Sequence, residues 1–466
     1  MSHNNKIEKT KMMGEGEISK VLTKMSVPGI IAMLINAIYN IVDSMFIGML
    51  GNTEAMGATS VIFPLFMLIA ALGQMFGVGA GSYIARLLGA GNKNQAEKVV
   101  STTFYTTIIM SILFTVSVLT LINPTLRILG ATDTIMPYAL TYGKILVTGA
   151  IFTIINMTLN NTIRAEGNAK YSMIAISLGA VLNVILDPLF MFGFDMGIKG
   201  AAISTVLSTS ISSIYLLRYY FSGKSFIKIT REKFTPKLSL YSEIMKVGGA
   251  TFARQALASL SLGILNSKAA FYGDSTVAAM GISTRVTSAV LYIVIGYNQG
   301  FMPIAAYNYG AEKYDRLKSA IRISLIRLTV FCTFATFIFM FFTEDILRLF
   351  SSDPEVIERG KAILRAMSIL IPTLGFQQIY AVLYQALGKS VGALVLSSAR
   401  QGTFLILALM ILPSLLNFRG LIYSQASADI FTVITTLIFA IKISKEIKDK
   451  EDIYKPSNNL VLESNG

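Results

Sequence analysis

The apolar stretch ISLGAVLNVILDPLFMFGF, residues 176–194, contains Asn183, Asp187 and Pro188, which are unusual residues to bury in hydrocarbon. Asn183 and Asp187 are four residues apart and therefore share one face of a helix. Pro188 has no N–H group, so a helix around it leaves one carbonyl oxygen without its hydrogen bond. Amide, carboxylate and carbonyl oxygens together favour protons or a hard cation such as Na⁺ over soft metals.

A second carboxylate lies in the apolar stretch INAIYNIVDSMFIG, residues 35–48, where Asp43 follows Asn40 by three residues. A charged side chain inside the hydrocarbon of a membrane costs at least about 2.5–3.5 kcal/mol. Such a residue is therefore retained mainly where it pairs with another group or has a function. Two neighbouring carboxylates in a medium of low dielectric cannot both ionise cheaply. The alternative interpretation is that each Asp only hydrogen-bonds a neighbouring helix.

The composition places these stretches in a membrane. Of the 466 residues, 53% are hydrophobic and only 14% are charged, whereas soluble domains are about a quarter charged. The single histidine, His3, and the single cysteine, Cys332, exclude His-based triads, disulfide frameworks and cysteine zinc sites. GAGNK at 89–93 lacks the spacing of an ATP-binding loop, and the polar N-terminus has no signal-peptide pattern. We therefore expect neither an enzyme nor a cofactor.

Twelve apolar runs are long enough to cross a bilayer, which takes about 20 residues. The predicted spans are 21–48, 55–82, 99–122, 137–160, 171–194, 198–220, 243–268, 276–304, 320–343, 360–384, 392–415 and 419–442. Lys and Arg concentrate in the tails and in alternate loops, above all in 222–242. By the positive-inside rule, both termini and this loop are cytoplasmic, and we expect a multi-pass protein of the plasma membrane. The net charge of +14 is thus a topology signal and does not require nucleic acid.

The two halves of the chain repeat each other at an offset of about 221 residues. The matching loop glycines are Gly89 and Gly310, Gly167 and Gly388, and Gly200 and Gly420. Six spans per half is an even number, so both halves run the same way and an axis along the membrane normal relates them. We predict a cytoplasmic tail at 1–20, an N-lobe at 21–221, a linker at 222–242, a C-lobe at 243–443 and a second tail at 444–466.

Three motifs carry a resemblance to a known family: NAIYNIVDSMFIG in the first span, GQMFGVGAGSYIARLLGAGN after the second, and LNVILDPLFMFGFDMGIKGAA across the fifth and sixth. Together with NQGFMPIAAYNYGA in the second half, they resemble the MATE (multidrug and toxic compound extrusion) transporters, and most closely bacterial multidrug exporters. The resemblance covers about residues 20–445. It implies an all-α membrane protein with twelve helices in two six-helix bundles related by pseudo-twofold symmetry.

The resemblance further implies a cation-coupling site in the N-lobe formed by Asp43, Asn183, Asp187 and Thr205. The same four residues would be the metal ligands if Na⁺ is the coupling ion. Many relatives have a glutamate where this chain has Asn160, and some have an acid where it has Asn298. These departures lead to the expectation that the C-lobe has no acidic residue within its spans.

The expected function is secondary active antiport, in which H⁺ or Na⁺ enters as an amphipathic, cationic compound leaves by alternating access. Polar, aromatic and methionine side chains suit the walls of a polyspecific cavity, although each alone is as easily explained by packing. The predicted cavity residues are Tyr39, Asn40, Met45, Asn156, Asn160, Tyr292, Asn298 and Met302. The expected partners are small amphipathic substrates and membrane lipids, and we expect a monomer.

Other functions remain open at this point. A flippase for lipid-linked oligosaccharides would share the two-lobed architecture but would line its cavity with several cations. The arginines Arg86, Arg164 and Arg285 are instead predicted to lie near helix ends. A membrane-embedded enzyme lacks a catalytic constellation in the spans. A channel fits the repeat less well than alternating access does.

Overall fold

The computed structural model describes residues 10–454, which form helices joined by short turns, with no strand in that range. The N-lobe consists of α1 (Ile18–Met49), α2 (Thr53–Gly89), α3 (Lys93–Thr120), α4 (Ile122–Ile128), α5 (Met136–Thr148), α6 (Ala150–Ala165), α7 (Ala169–Pro188) and α8 (Gly197–Phe221). The C-lobe consists of α9 (Leu238–Ala270), α10 (Asp274–Gly310), α11 (Tyr314–Phe341), α12 (Thr343–Arg348), α13 (Pro354–Ser368), α14 (Leu374–Ala386), α15 (Ser390–Ser398) and α16 (Phe404–Tyr454).

The described helices account for the twelve predicted crossings. Nine helical stretches within residues 10–454 are long and apolar enough to cross a membrane, and the bent pair α5–α6 makes a tenth. The stretch 390–453 counts once among the nine but contains two crossings, because its last part consists of two helices separated by a kink at Asn417, where φ is 51°. The twelfth is α9, which Arg254 and Lys268 make less apolar. Several helices are longer than the predicted spans, because the helix continues past the apolar residues into the polar residues that follow.

Several predicted spans are interrupted rather than straight. The fourth bends by 46° between α5 and α6, where Val206 of α8 packs against Gly149. The fifth ends its α-helix at Pro188 and continues as a π-helical turn, Leu189–Gly193. The eleventh is broken by a second π-helical turn, Ala399–Thr403. Such turns open helical hydrogen bonding inside a span, and they are tolerated where protein or an aqueous cavity surrounds them.

The internal repeat is visible in the turns of the backbone. Three turns with positive φ in the N-lobe recur in the C-lobe at offsets of about 221 residues, and most of these positions are glycines, which have no Cβ to oppose that conformation. The pairs are Gly51 and Gly273, Gly91 and Glu312, and Gly167 and Gly388. Gly200 packs against the backbone of Phe190, and Gly420 packs in the same way against that of Leu412. The repeat predicted from loop glycines therefore extends to the turns of the backbone and to the contacts that the glycines make in each lobe.

The two lobes meet along a line of close helix contacts, here called the seam. Helix α1 packs on α10, and α2 packs on both α9 and α10. The seam is formed by glycines that let the backbones touch: Gly29, Gly79, Gly89, Gly248, Gly296 and Gly310. Polar contacts reinforce it, because Ser26 Oγ donates to Tyr297 O at 3.0 Å and Ser82 Oγ donates to Gln385 O at 2.6 Å.

The seam lies on the side of the molecule where both described ends of the chain are found. Residues 10–16 bridge the lobes there, since Thr10 donates to Glu166 O at 3.3 Å and Met13 O accepts from Asn308 at 3.0 Å. The ion pair between Lys318 and Glu451 brings the last helix to the same side. The lobes are therefore closed against each other on the side of the termini.

The seam predicts different effects for two adjacent glycines. Gly248→Ala should lower the thermal midpoint of the detergent-solubilised protein, because the new methyl group would collide with the backbone carbonyl of Met75 across the seam. Gly249→Ala should be neutral or stabilising, because a Cβ there meets nothing within 4 Å and alanine favours helix. Equal midpoints for the two variants would contradict the seam as described.

A buried acid fastens the linker to the N-lobe. Glu166 is 2% exposed and accepts hydrogen bonds from Ser225 Oγ at 2.7 Å, from Phe226 N at 2.8 Å and from Tyr219 Oη at 3.2 Å. Burial raises the pKa of its carboxyl to about 7 from an ordinary value of 4.5, and the hydrogen bonds oppose this rise only in part.

Glu166 therefore gives a pH dependence of stability. Because its pKa is raised in the folded state, it contributes stability below about pH 4.5 that is lost as the pH rises through about 7. Wild type should lose this stability between pH 5 and pH 8, and Glu166→Gln should not. The thermal midpoint of the variant minus that of wild type should therefore increase over this pH range. Glu232→Gln, which changes an exposed acid of the same linker, should leave the profile unchanged. An identical slope in Glu166→Gln and wild type would contradict the assignment.

Candidate cation site and substrate cavity

Four helices of the N-lobe bring the two predicted carboxylates together. Asp43 is in the second half of α1, and Asp187 is at the end of α7, the helix on which α1 packs. The two carboxyl groups lie within hydrogen-bonding reach of each other. Asp187 is fully buried and Asp43 is half-buried. Helix α8 supplies hydroxyl groups to this site, and α5 covers it.

Hydrogen bonds orient one of the carboxylates. Asn183 Nδ2 donates to Asp187 Oδ1 at 3.3 Å and also lies 3.4 Å from Thr205 Oγ1. Ser204 Oγ donates to the same Asp187 oxygen. Thr205 Oγ1 donates to Ala201 O at 3.0 Å, so the hydroxyl oxygen faces the site as an acceptor. Asn183 and Asp187 thus share one helix face, as their spacing predicts.

Three oxygens of the site are buried without a hydrogen-bond donor. They are Asp43 Oδ1, Asp187 Oδ2 and Asn183 Oδ1. A buried acceptor without a donor carries its full desolvation cost, and two carboxylates in contact repel each other unless a positive charge lies between them. The chemistry of these oxygens is that of acceptors for a proton or a small hard cation.

Two tyrosines border the site. The hydroxyl of Tyr39 lies near that of Thr205, and both Tyr39 and Tyr142 are close enough to interact electrostatically with Asp43 and Asp187. The sequence predicts Tyr39 as a substrate-cavity residue, but the structure places it beside the carboxylates. Tyr142 and Ser204 were missed by the sequence analysis. Ser204 could have been suspected because it is adjacent to Thr205. Tyr142 could not, because no spacing rule shows which face of α5 turns toward the carboxylates.

Asn156 and Asn160, predicted to face substrate, are engaged inside the N-lobe. Asn156 Nδ2 donates to Ser212 Oγ at 2.9 Å, and Asn160 Nδ2 donates to Asn156 Oδ1 at 2.8 Å. Ser172 Oγ donates to Asn160 Oδ1 at 2.7 Å. These amides join α6 to α7 and α8, a structural use of amides that is common inside membranes.

A cavity of about 1050 Å³ lies between the lobes, mostly in the C-lobe. Its walls come from α2 at Phe63–Ala71, from α9 at Phe252–Lys268 and from α10 at Thr284–Leu291. Each of these helices contributes one part to the seam and another part to the cavity. The part that lines the cavity is farther from the chain termini than the part in the seam. The structure is consequently closed on the side of the termini and open toward the other side.

None of the eight predicted cavity residues lines this cavity. Asn40 and Met45 are exposed on α1, and Tyr292 and Met302 are half-buried on α10. Asn298 is 5% exposed, and neither its amide nitrogen nor its amide oxygen has a hydrogen-bond partner. The residues were chosen because their side chains suit polyspecific binding, but residue type does not show which helix faces turn toward the gap between the lobes.

The expectation of a C-lobe without an intramembrane acid is wrong. Asp429, in the middle of α16, is 1% exposed and forms an ion pair with Arg400, whose Nε lies 2.8 Å from Asp429 Oδ1. Gln425 Nε2 donates to the same oxygen at 3.2 Å. Arg400 belongs to the π-helical turn that breaks the eleventh span. Arg400 and Arg254, which lies inside α9, also show that the arginines are not confined to helix ends, as the sequence had led us to expect.

Comparison with known proteins gives the family. The MatE family profile matches residues 28–189 and 250–410, which together are more than half of the chain. The chain belongs to the MatE family. The matched segments begin 222 residues apart, which confirms the repeat offset of about 221 residues predicted from the loops. Members of the MatE family are transporters, so the chain is a multi-pass membrane transporter and not an enzyme.

Individual relatives agree with the MatE assignment. The multidrug export protein MepA of Staphylococcus haemolyticus is 30% identical over 89% of this chain and 91% of its own length. A multidrug resistance MATE family transporter solved in an outward-facing conformation is 25% identical, with a TM-score of 0.89 over 94% of this chain and 98% of that one. A MOP superfamily transporter from Pyrococcus furiosus, described as having a binding pocket of reverse polarity that suggests a different function, is 25% identical with a TM-score of 0.88 over 95% and 99% of the two chains.

The paired carboxylates predict ion-dependent stability of this MatE protein. Purified wild type should gain thermal stability when Na⁺ replaces choline or, if protons alone bind, when the pH falls from 8 to 6, because the ligand neutralises repulsion between Asp43 and Asp187. Asp187→Asn should remove the gain. Asp195→Asn is the matched control, since Asp195 is exposed in the turn after α7 and Asn adopts its positive φ readily. A full gain in Asp187→Asn would contradict the site.

Proposed function

We propose that this MatE transporter is a secondary active efflux antiporter that exports amphipathic compounds in exchange for H⁺ or Na⁺. The observation that carries the proposal is the contact between the Asp43 and Asp187 carboxyl groups, together with buried oxygens that have no donor. Membership of a transporter family and the likeness to multidrug export proteins support export as the direction. Asp43, Asn183, Asp187 and Thr205 would bind the coupling ion, which is cargo and not a resident cofactor.

The coupling follows from electrostatics. A proton or Na⁺ taken up between Asp43 and Asp187 removes repulsion that the empty site must bear in low dielectric. One arrangement of α1, α7 and α8 would press the carboxylates together, and another would let them separate. The ion would bind more tightly to the arrangement in which the carboxylates are close. Reversing a two-state population from 1:99 to 99:1 takes about 5.5 kcal/mol of differential binding. A membrane potential of 100 mV supplies only roughly 2.3 kcal/mol for a charge that crosses the whole membrane. The difference in ion affinity between the two arrangements of the carboxylates must therefore be the larger contribution.

The geometry of the lobes suits alternating access. The seam closes the side of the termini, and the cavity of about 1050 Å³ lies beyond it. With the termini cytoplasmic, as the positive-inside rule predicts, this arrangement is the outward-open one. Transport would require the seam to open and the far ends of the lobes to close, by rigid motion of two similar bundles. We place the protein in the plasma membrane and expect one chain to suffice.

A flippase for lipid-linked oligosaccharides is the second candidate. It is favoured by Arg400 and Lys268 on the cavity walls, because cations bind pyrophosphate. Two cations, one of them already paired with Asp429, are fewer than we expect for this task. Transfer of a lipid-linked sugar across vesicles that leaves amphipathic dyes untouched would favour the flippase over the exporter.

Antiport predicts a specific outcome in reconstituted vesicles. Vesicles containing the protein and an amphipathic fluorescent dye should move the dye when a pH gradient or a Na⁺ gradient is imposed, and the ion that drives movement is the coupling ion. Asp187→Asn should abolish movement while expression and membrane insertion remain normal, and Asp43→Asn should do the same. Asp195→Asn should transport like wild type. Dye movement at the wild-type rate in Asp187→Asn would remove the coupling role of the site.

A further inference from the structure

The cavity between the lobes has a distinctive charge. Lys268 and Arg400 are the charged residues on its walls, and no Asp or Glu among the described residues lines it. The carboxylates of the N-lobe site, Asp43 and Asp187, are not part of its lining. A cationic substrate would therefore find no counter-ion on these walls.

We propose that the cavity binds an amphipath with an anionic group, with Arg400 and Lys268 as its electrostatic contacts. This deepens the proposed efflux function, on which it rests, by naming the chemical class of its substrate. It reverses the expectation of a cationic substrate drawn from the family resemblance.

Arg400 is held in a position to bind an anion. Asp429, whose side chain is 1% exposed, contacts one edge of the Arg400 guanidinium. Arg400 Nε lies 2.8 Å from Asp429 Oδ1, and Nη2 donates to Asp429 Oδ2 at 3.4 Å. Nη1 donates to no described residue. A guanidinium has five donor hydrogens in a rigid plane, so the unused edge can form hydrogen bonds to a carboxylate, sulfonate or phosphate. Asp429 fixes the plane without occupying all of its donors.

Lys268 adds a charge that the protein does not neutralise. It lies in the last turn of α9 and forms no ion pair with any described residue. A lysine at a membrane boundary can extend its amine toward water, yet this one lines the cavity. With Arg400 balanced by Asp429, Lys268 gives the cavity a net positive charge.

The remaining walls suit the apolar part of such a molecule. Phe63, Met67, Phe252 and Leu260 provide apolar surface, and Gln401 adds an amide donor beside Arg400. Burial of apolar surface would supply most of the affinity, while the cations would select the charge. This combination describes a site for an amphipathic anion.

Binding of matched probes to the purified full-length protein tests the proposal. The probes share one dansyl ring and one alkyl chain, and end either in sulfonate or in trimethylammonium. Wild type should bind the sulfonate probe about tenfold more tightly, since one charge-assisted contact has roughly that effect. Lys268→Gln should weaken sulfonate binding about fivefold and the double variant Arg400→Gln/Asp429→Asn about tenfold. The double variant leaves no unpaired buried charge, which guards against misfolding.

Lys144→Gln is the control, because Lys144 is an exposed lysine in a span of the N-lobe, away from the cavity. It should leave both affinities unchanged. Tighter binding of the trimethylammonium probe by wild type would overturn the proposal, as would sulfonate affinity that both cavity variants retain in full. Displacement of the sulfonate probe by dihexanoyl phosphatidylglycerol would identify a lipid headgroup as the source of the anion, and binding that this lipid leaves unchanged would identify a free amphipath.

The outcomes separate this proposal from the efflux function. If the trimethylammonium probe is bound and is moved by an ion gradient, antiport stands and the anion assignment fails. If the sulfonate probe is bound through Arg400 and Lys268 but no gradient moves it in vesicles, the anion assignment stands and antiport fails.

Discussion

Two carboxyl groups in contact within an apolar bundle are the constraint on which the rest of the N-lobe depends. Asp43 and Asp187 cannot both remain charged at that depth without a positive partner, and the structure leaves three oxygens of the site without donors. The surrounding helices serve to maintain this arrangement. Helix α7 ends at Pro188 and places Asp187 against α1, while α8 contributes Ser204 and Thr205.

The two lobes repeat the same fold but carry different chemistry. The repeat partner of Asp43 is close to Leu265, which lines the large cavity as an apolar wall residue. In the C-lobe, the buried acid Asp429 is neutralised by Arg400 and cannot take up a cation without losing that partner. The repeat therefore supplies two similar bundles, of which one contains the paired carboxyl groups and the other forms most of the large cavity.

Much of the fold could be predicted from sequence, because apolar length, basic loops and repeated glycines each record a local physical requirement. The N-lobe site could be predicted only in part. Spacing identifies Asn183 and Asp187, the family resemblance adds Thr205, and nothing local identifies Tyr142, whose role depends on how α5 packs. Asp429 was missed because the expectation for the C-lobe was drawn from the positions of Asn160 and Asn298, although Gln425 precedes Asp429 by four residues just as Asn183 precedes Asp187. The predicted cavity residues lie outside the large cavity, because residue type cannot show which faces of α9 and α10 border the gap between the lobes.

Infrared difference spectroscopy of the purified protein can observe whether the two N-lobe carboxyl groups load and release the coupling ion. All proteins in the experiment carry Glu166→Gln, because Glu166 has a pKa of about 7 and would add a band of its own. In this background, lowering the pH, or removing Na⁺, should produce the stretching band of a protonated carboxyl, and adding Asp195→Asn should leave that band unchanged. The double variant Asp43→Asn/Asp187→Asn in the same background should lack this band. A band of undiminished intensity in the double variant would contradict this role of the two carboxyl groups.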